Sequence, residues 1–151
     1  MEQFDVAVVG LGVLGSAALY QAALKGAKAI GFEQFELGHV RGASHDTSRI
    51  IRLTNVAPEY VALAKSAFKG WDDLEKASGQ KLVTMTGGLF FVPRDAPTPL
   101  RDFSTSLDVH GVPYEILDNS EVHKRWPQFQ IPHNVDTLYT ASSGIVHANR
   151  S

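Results

Sequence analysis

A run of three glycines near the amino terminus constrains the fold of this chain more than any other feature. Residues 10–15 read G-L-G-V-L-G, which fits the pattern G-x-G-x-x-G. Residues 4–9 before it are apolar apart from Asp5, as in a buried strand, and the alanine-rich residues 13–25 after it are typical of a helix. Residues 28–33 predict a second strand, parallel to the first if the crossover packs in the usual right-handed way. The pattern therefore predicts a βαβ unit.

The glycines also indicate what the predicted βαβ unit binds. Gly10 allows a tight turn, Gly12 lets the backbone approach a pyrophosphate, and Gly15 lets the helix pack closely on the strand. The first helical turn, with Val13 and Leu14, supplies free N–H groups and a partial positive charge. The sequence therefore predicts that a dinucleotide binds here, with a glycine-rich turn that binds nothing as the alternative.

An acidic residue, Glu33, closes the second predicted strand. Its carboxylate is expected to accept hydrogen bonds from the adenosine ribose hydroxyls, and the adjacent Gln34 is a further candidate for cofactor binding. A carboxylate at this place repels a 2′-phosphate, so NADP is disfavoured. FAD and NAD both present ADP to such a site, and the motif alone leaves the choice between them open.

The pattern changes farther along the chain. Residues 58–77 predict a helix with a core-facing apolar stripe, which comprises Tyr60, Leu63, Ala64, Ala67, Trp71 and Leu74. The later predictions are strands at 82–85, 88–92 and 114–117, helices at 100–110 and after Asp118, and a hairpin from 136–141 and 144–147. An α/β region thus precedes a mixed α+β region, with the boundary near residue 80. The chain stops just after a predicted strand, so we expect a truncated piece of a longer protein.

Composition excludes several classes of function. The chain has 14 basic and 16 acidic residues without a long run of either sign, so no nucleic-acid partner is expected. It has no cysteine, hence no disulfide or thiolate metal site, and no metal is expected. Glu2 and Asp5 precede the apolar start, which glycines interrupt, so neither a signal peptide nor a membrane span is predicted. We expect a cytoplasmic protein; a peroxisomal address at a later C-terminus stays open.

The segment after the acidic strand separates FAD from NAD. Residues 42–52 read G-A-S-H-D-T-S-R-I-I-R, which resembles the G-S-x-H-G-D-x-R-I-I-R stretch of the sarcosine oxidase group of D-amino-acid-oxidase-like flavoproteins, a group that includes N-methyltryptophan oxidases. The likeness continues through residues 59–61, 86–89, 124–127 and 142–146. It implies that residues 1–80 are an FAD-binding, Rossmann-like region and that residues 81–151 are part of a substrate domain.

The resemblance also implies roles for particular residues. His45 and Arg49 would lie beside the flavin ring, Arg52 would bind the substrate carboxylate, and Ala43 and Ser44 would lie near the cofactor. An arginine fork suits a carboxylate, and fixed positive charge stabilises an anionic reduced flavin. Without the resemblance, two arginines on a solvated strand edge would be the better interpretation. The remaining histidines show no ligand spacing and are predicted to be surface or capping residues: His39, His110, His123, His133 and His147.

The resemblance further implies a reaction. A secondary or N-methyl amino acid loses a hydride from the carbon next to nitrogen to FAD, water hydrolyses the imine, and O2 reoxidises the flavin to give hydrogen peroxide. The chain departs from the related pattern at residues 46–48, which read D-T-S, and this leaves the choice of amine substrate open. The alternatives are an NAD-dependent dehydrogenase and a non-catalytic nucleotide-binding fragment. The 151-residue chain alone is expected to be inactive.

Overall fold

The computed structural model describes residues 2–150. The chain forms two compact units, Met1–Thr47 and Ser48–Ser151. The first unit is α/β and the second is mixed α+β, which confirms the predicted fold class. The change falls before the helix predicted at 58–77 because that helix packs against strands and helices of the second unit. The functional division near residue 80 stays a prediction.

The first unit is the predicted βαβ arrangement. Strand β1 (Val6–Val9), helix α1 (Val13–Leu24) and strand β2 (Ala29–Phe32) follow one another. The two strands are parallel, with Val6 opposite Ala29. Helix α1 ends where Gly26 adopts a φ of 85°, a left-handed conformation that glycine takes at little cost. Residues 33–47 contain no helix or strand.

The second unit contains two antiparallel three-stranded sheets and three helices within its described part. Its strands are β3 (Arg49–Arg52), β4 (Val83–Met85), β5 (Gly88–Pro93), β6 (Glu115–Leu117), β7 (Val135–Thr140) and β8 (Ser143–Val146). Its helices are α2 (Pro58–Ser78), α3 (Leu100–Val109) and α4 (Asn119–Arg125). The strand orders are β3-β8-β4 and β5-β7-β6. No helix within residues 2–150 is both long enough and apolar enough to cross a membrane.

The predicted hairpin between β7 and β8 is wrong, because the two strands belong to different sheets. Both edges of β7 are already paired, with β5 on one side and β6 on the other. The chain therefore leaves this sheet at residues 141–142, and β8 pairs in the other sheet. A Cβ atom on Gly144 would lie 2.4 Å from the carbonyl oxygen of Thr84, so β8 fits between β3 and β4 only with glycine there.

Helix α2 forms as predicted, but only part of the predicted apolar stripe faces the core. Val61 is fully buried in a cluster with Leu107 and Leu138, and Phe68 packs against it. Tyr60 and Leu63 of the predicted stripe are instead 62% and 65% exposed, so that part of the prediction is wrong. The reason is that α2 packs on both α3 and the sheets, and these neighbours select the face. Trp71 packs as predicted, against the second cluster of Ile51, Val83 and Val146.

Glu75, in the last turn of α2, fastens the helix to the strand that follows. Its Oε1 accepts hydrogen bonds from the backbone N–H groups of Leu82 at 2.6 Å and Val83 at 2.8 Å, and its Oε2 pairs with Lys81 at 3.2 Å. The hydrogen bond from Val83, followed by that from Leu82, lowers the pKa of Glu75 against the opposing effect of desolvation. A lowered pKa stabilises the fold above the ordinary glutamate pKa, and that contribution is lost as pH falls through the folded-state value.

We predict that Glu75→Ala lowers the melting temperature by about 4 °C at neutral pH, because two backbone donors lose their acceptor. Glu75→Gln should cost less, since the amide oxygen still accepts, but should flatten the pH dependence of the melting temperature in the acidic range. Thermal unfolding followed by circular dichroism measures both. Lys81→Met is the control and should change little, because the Lys81 side chain is 68% exposed. Equal losses for Glu75→Ala and Lys81→Met would contradict the assigned role.

Candidate functional site

The glycine turn of the first unit has the geometry that its spacing predicts. Gly10 adopts a φ of 88° and donates its N–H to the carbonyl oxygen of Phe32 at 2.7 Å, which ties the end of β1 to β2. A Cβ atom on Gly15 would lie 1.8 Å from the carbonyl oxygen of Gly10. Helix α1 therefore begins directly over the turn, and only glycine at position 15 permits this approach.

Ser44 lies at the N-terminus of helix α1. Its Oγ accepts a hydrogen bond from the Val13 N–H at 2.9 Å, and a Cβ atom on Gly12 would lie 3.0 Å from the same oxygen. Gly12 is the N-cap residue and has no side chain to cap the helix. The serine hydroxyl, which accepts here, retains its own proton for donation to an anion. The turn thus brings the Ser44 hydroxyl to the N-terminus of the helix, a combination that suits a phosphate oxygen.

The Glu33 carboxylate is fixed against the glycine turn. Oε2 accepts from the N–H of Leu11 at 2.8 Å, and Oε1 accepts from those of Gln34 at 2.8 Å and Phe35 at 3.3 Å. The hydrogen bond from Leu11 is the largest cause that lowers the pKa of Glu33, and desolvation opposes it. The group therefore stays ionised and oriented at neutral pH. Gln34 contributes its backbone N–H here, and its predicted contact with the cofactor stays a prediction.

His39 is a neighbour of Glu33 that the spacing of the sequence does not reveal. Its Nε2 lies 3.6 Å from the Glu33 Oε1, and its Nδ1 accepts the Arg41 N–H at 3.0 Å. The hydrogen bond at Nδ1 places the ring proton on Nε2, directed at the carboxylate. The ring also meets Phe35 edge-on, at 4.9 Å between centroids. The sequence predicts a surface or capping role for His39, but its side chain is only 17% exposed and lies beside the Glu33 carboxylate.

The segment that carries Ala43 and His45 includes a strained residue. The His45 Nδ1 lies 2.6 Å from the carbonyl oxygen of Gly42, so this nitrogen carries a proton. Asp46 has a φ of 133°, which is unfavourable for a residue with a side chain. Position 46 is where the related pattern has glycine. The predicted flavin contacts of Ala43 and His45 stay predictions.

In the second unit, Arg49 and Arg52 lie on β3, at the edge of its sheet. Arg49 is exposed, and its Nη1 donates to the carbonyl oxygen of Ser48 at 3.2 Å. Arg52 is half-buried, with its Cζ 4.9 Å from the ring centroid of Phe90 and its Nη1 donating to the Thr54 carbonyl. The side chain of Arg52 is therefore not a fully solvated group at the strand edge. The role of Arg49 at the flavin stays a prediction.

The first unit fits the ADP part of a dinucleotide. An oriented carboxylate suits ribose hydroxyls, and the helix N-terminus with its serine suits a pyrophosphate. In the second unit, a guanidinium held at a strand edge suits a carboxylate. Within residues 2–150, no group of three or more histidine, aspartate or glutamate side chains is arranged to hold a metal ion.

We predict that Gly15→Ala lowers the free energy of unfolding by about 3 kcal/mol and reduces flavin retention, because its Cβ would overlap a backbone oxygen. Gly70→Ala in helix α2 is the matched control. A Cβ there meets nothing within 4 Å, and alanine should stabilise the helix by about 0.5–1 kcal/mol. Chemical unfolding measures both changes. A Gly15→Ala protein as stable as the wild type would refute the close approach.

Comparisons with known proteins show the family to which this chain belongs. Residues 5–151 match a family described as FAD dependent oxidoreductase. The chain is similar to the monomeric sarcosine oxidase of Bacillus sp. (strain B-0618), with 35% identity over 144 residues, which are 95% of this chain and 37% of the relative. It is also similar to N-methyl-L-tryptophan oxidase of Yersinia pestis (strain Pestoides F), with 30% identity over 146 residues, 96% of this chain and 39% of the relative.

A solved structure shares the fold. NikD, an unusual amino acid oxidase, matches 98% of this chain and 38% of its own with a TM-score of 0.83 at 23% identity. The chain thus spans about two fifths of the length of the relatives it matches. The matches confirm the resemblance drawn from residues 42–52 and the expected cofactor, FAD. Both the glycine turn and the family match lead to one conclusion: the chain belongs to the FAD dependent oxidoreductase family.

Proposed function

We propose that this chain supplies the nucleotide-binding part and a substrate-binding arginine of an oxidase that acts on secondary or N-methyl amino acids. The observation that carries the substrate class is the half-buried guanidinium of Arg52, held on β3 by Phe90 and Thr54. A charge removed from bulk water and fixed in direction suits recognition of a carboxylate. The names of the similar relatives, sarcosine oxidase and N-methyl-L-tryptophan oxidase, support the same class.

The residues of the first unit would hold the ADP part of FAD. The Leu14 N–H and the Ser44 hydroxyl, which the Val13 N–H orients, would bind the pyrophosphate, with Gly12 allowing its approach. The Glu33 carboxylate accepts three backbone hydrogen bonds, and its remaining lone pair would accept from a ribose hydroxyl. Its negative charge would repel a 2′-phosphate.

The reaction divides between the cofactor and the chain. FAD, when bound, supplies the two-electron oxidation of the carbon–nitrogen bond to an imine, with O2 as the final acceptor and hydrogen peroxide as the product. Arg52 would neutralise the substrate carboxylate and so orient the amine. His45 and Arg49 would contribute polar and positive groups beside the flavin ring, on the support of the resemblance. The small-molecule substrate, O2 and a cytoplasmic location belong to this proposal.

The alternatives differ in what they would bind. The match to the FAD dependent oxidoreductase family argues against an NAD-dependent dehydrogenase. A non-catalytic nucleotide-binding fragment would hold dinucleotide without discriminating between amines. Cofactor binding and substrate selectivity are therefore tested separately, in flavin-loaded protein that carries this chain.

Glu33→Ala should raise the dissociation constant for FAD about tenfold, because a charge-assisted hydrogen bond to the ribose is lost. Glu33→Gln should be intermediate, since its amide oxygen still accepts from the Leu11 N–H. Because the pKa of Glu33 is lowered, wild-type retention should stay constant on acidification until below the ordinary glutamate pKa. Quenching of flavin fluorescence measures binding, and Glu36→Gln in the same loop is the control. Unchanged FAD binding by Glu33→Ala would refute the ribose role.

Arg52→Met should lower kcat/KM for sarcosine by about thirtyfold or more, because one partner of a charge pair is removed. The loss should be much smaller for sarcosinamide, in which a neutral amide replaces the carboxylate, and flavin content should stay near normal. Arg101→Met is the control, since the Arg101 side chain is 85% exposed. Steady-state oxygen consumption gives the rates. Equal losses on the acid and the amide would remove the carboxylate role.

A further inference from the structure

The guanidinium of Arg52 is held by two groups that approach it from different directions. Phe90 on β5 makes a cation–π contact with it, with the Cζ atom over the ring at 4.9 Å from the ring centroid. The backbone carbonyl of Thr54 accepts a hydrogen bond from its Nη1. We propose that Phe90 is a positioning residue that orients Arg52 for the carboxylate of the substrate and thereby sets the preference for amino acids over amines that lack a carboxylate. This inference rests on the proposed function of Arg52.

The ring of Phe90 is itself fixed. It lies 4.7 Å from the ring of Phe103, at 53° between the planes, and both rings pack against the buried cluster that includes Leu107 and Leu138. On β5, Phe90 lies opposite Leu138, which is fully buried. Because helix α3 and the sheet pack against the Phe90 ring, the ring cannot move with the guanidinium. The guanidinium must therefore align with the ring.

The second contact fixes rotation within the plane of the guanidinium. The Thr54 side chain is 1% exposed, so the backbone that carries its carbonyl is anchored in the protein interior. A cation–π contact is made to the face of the aromatic ring, which offers no lone pair like that of a carbonyl oxygen, and the N–H donors of a guanidinium lie in its own plane. Phe90 therefore occupies no donor, and Thr54 occupies a donor at one corner only. The opposite edge keeps the parallel pair of N–H groups that a carboxylate binds.

A simpler role for the contact is packing, in which the arginine covers an apolar ring. The two roles predict different results. Loss of packing would reduce stability and affect all substrates alike, whereas loss of orientation would weaken binding of carboxylates selectively. The chain offers a matched control in Phe91, the next residue on β5. Its ring packs against Phe129 at 5.6 Å between centroids and not against Arg52.

The experiment compares Phe90→Leu, Phe90→Tyr and Phe91→Leu in the flavin-loaded protein. Phe90→Leu should raise KM for sarcosine about fivefold, with kcat and the KM for sarcosinamide within about twofold of wild type. Phe90→Tyr keeps the ring face and should behave as wild type, as should Phe91→Leu. The dissociation constant of acetate, a carboxylate that cannot be oxidised, should rise about fivefold in Phe90→Leu. Flavin absorbance changes measure it, with acetamide as the neutral control.

The double variant Phe90→Leu/Arg52→Met completes the test. If Phe90 acts through Arg52, the double variant should bind acetate no more weakly than Arg52→Met alone. Phe90→Met, an unbranched apolar replacement, stands in if Phe90→Leu does not fold. An Arg52→Met protein that loses carboxylate selectivity while Phe90→Leu, or Phe90→Met in its place, retains it would overturn this inference and leave the proposed function intact. An Arg52→Met protein that retains selectivity would overturn both.

Discussion

The approach of Gly15 to the carbonyl oxygen of Gly10 is the contact on which the first unit depends. Because no side chain stands between them, helix α1 starts directly over the end of β1, and its N-terminus lies beside Ser44. The same turn presents the Leu11 N–H to Glu33, whose carboxylate is thereby held in one orientation. The proposed binding site for phosphate and ribose thus depends on a single backbone contact, since atoms of one turn would bind both groups.

In the second unit, two crossings between sheets decide which side chains meet. Strand β4 passes into β5 at residues 86–87, and β7 passes into β8 at residues 141–142. The carbonyl of Ser143 accepts hydrogen bonds from both Thr86 and Gly87, which fixes one crossing against the other. Because β3 and β5 lie in different sheets, the contact of Arg52 with Phe90 joins the two sheets.

The departure of residues 46–48 from the related pattern has a physical cost. Asp46 adopts a conformation that a glycine takes freely, and strain of this kind costs about 1–3 kcal/mol. Its own side chain offsets part of that cost, because Oδ1 accepts the N–H of Thr47 at 2.8 Å. The loop that carries Ser44 and His45 is therefore held in a shape that this sequence does not favour locally. Such strain persists only where surrounding contacts determine the backbone.

The sequence by itself determined the βαβ unit, the glycine turn and Glu33, because each follows from the glycine spacing and from periods of two or 3.6 within one continuous segment. It also identified Arg52 as the candidate for the carboxylate, through the resemblance. Only the tertiary structure decided which face of α2 is buried, that β7 and β8 part into different sheets, and that His39 lies against Glu33. The surroundings of Arg52 belong to the same group. Phe90 is distant along the chain, and no local pattern encodes a contact that strand order and sheet packing create.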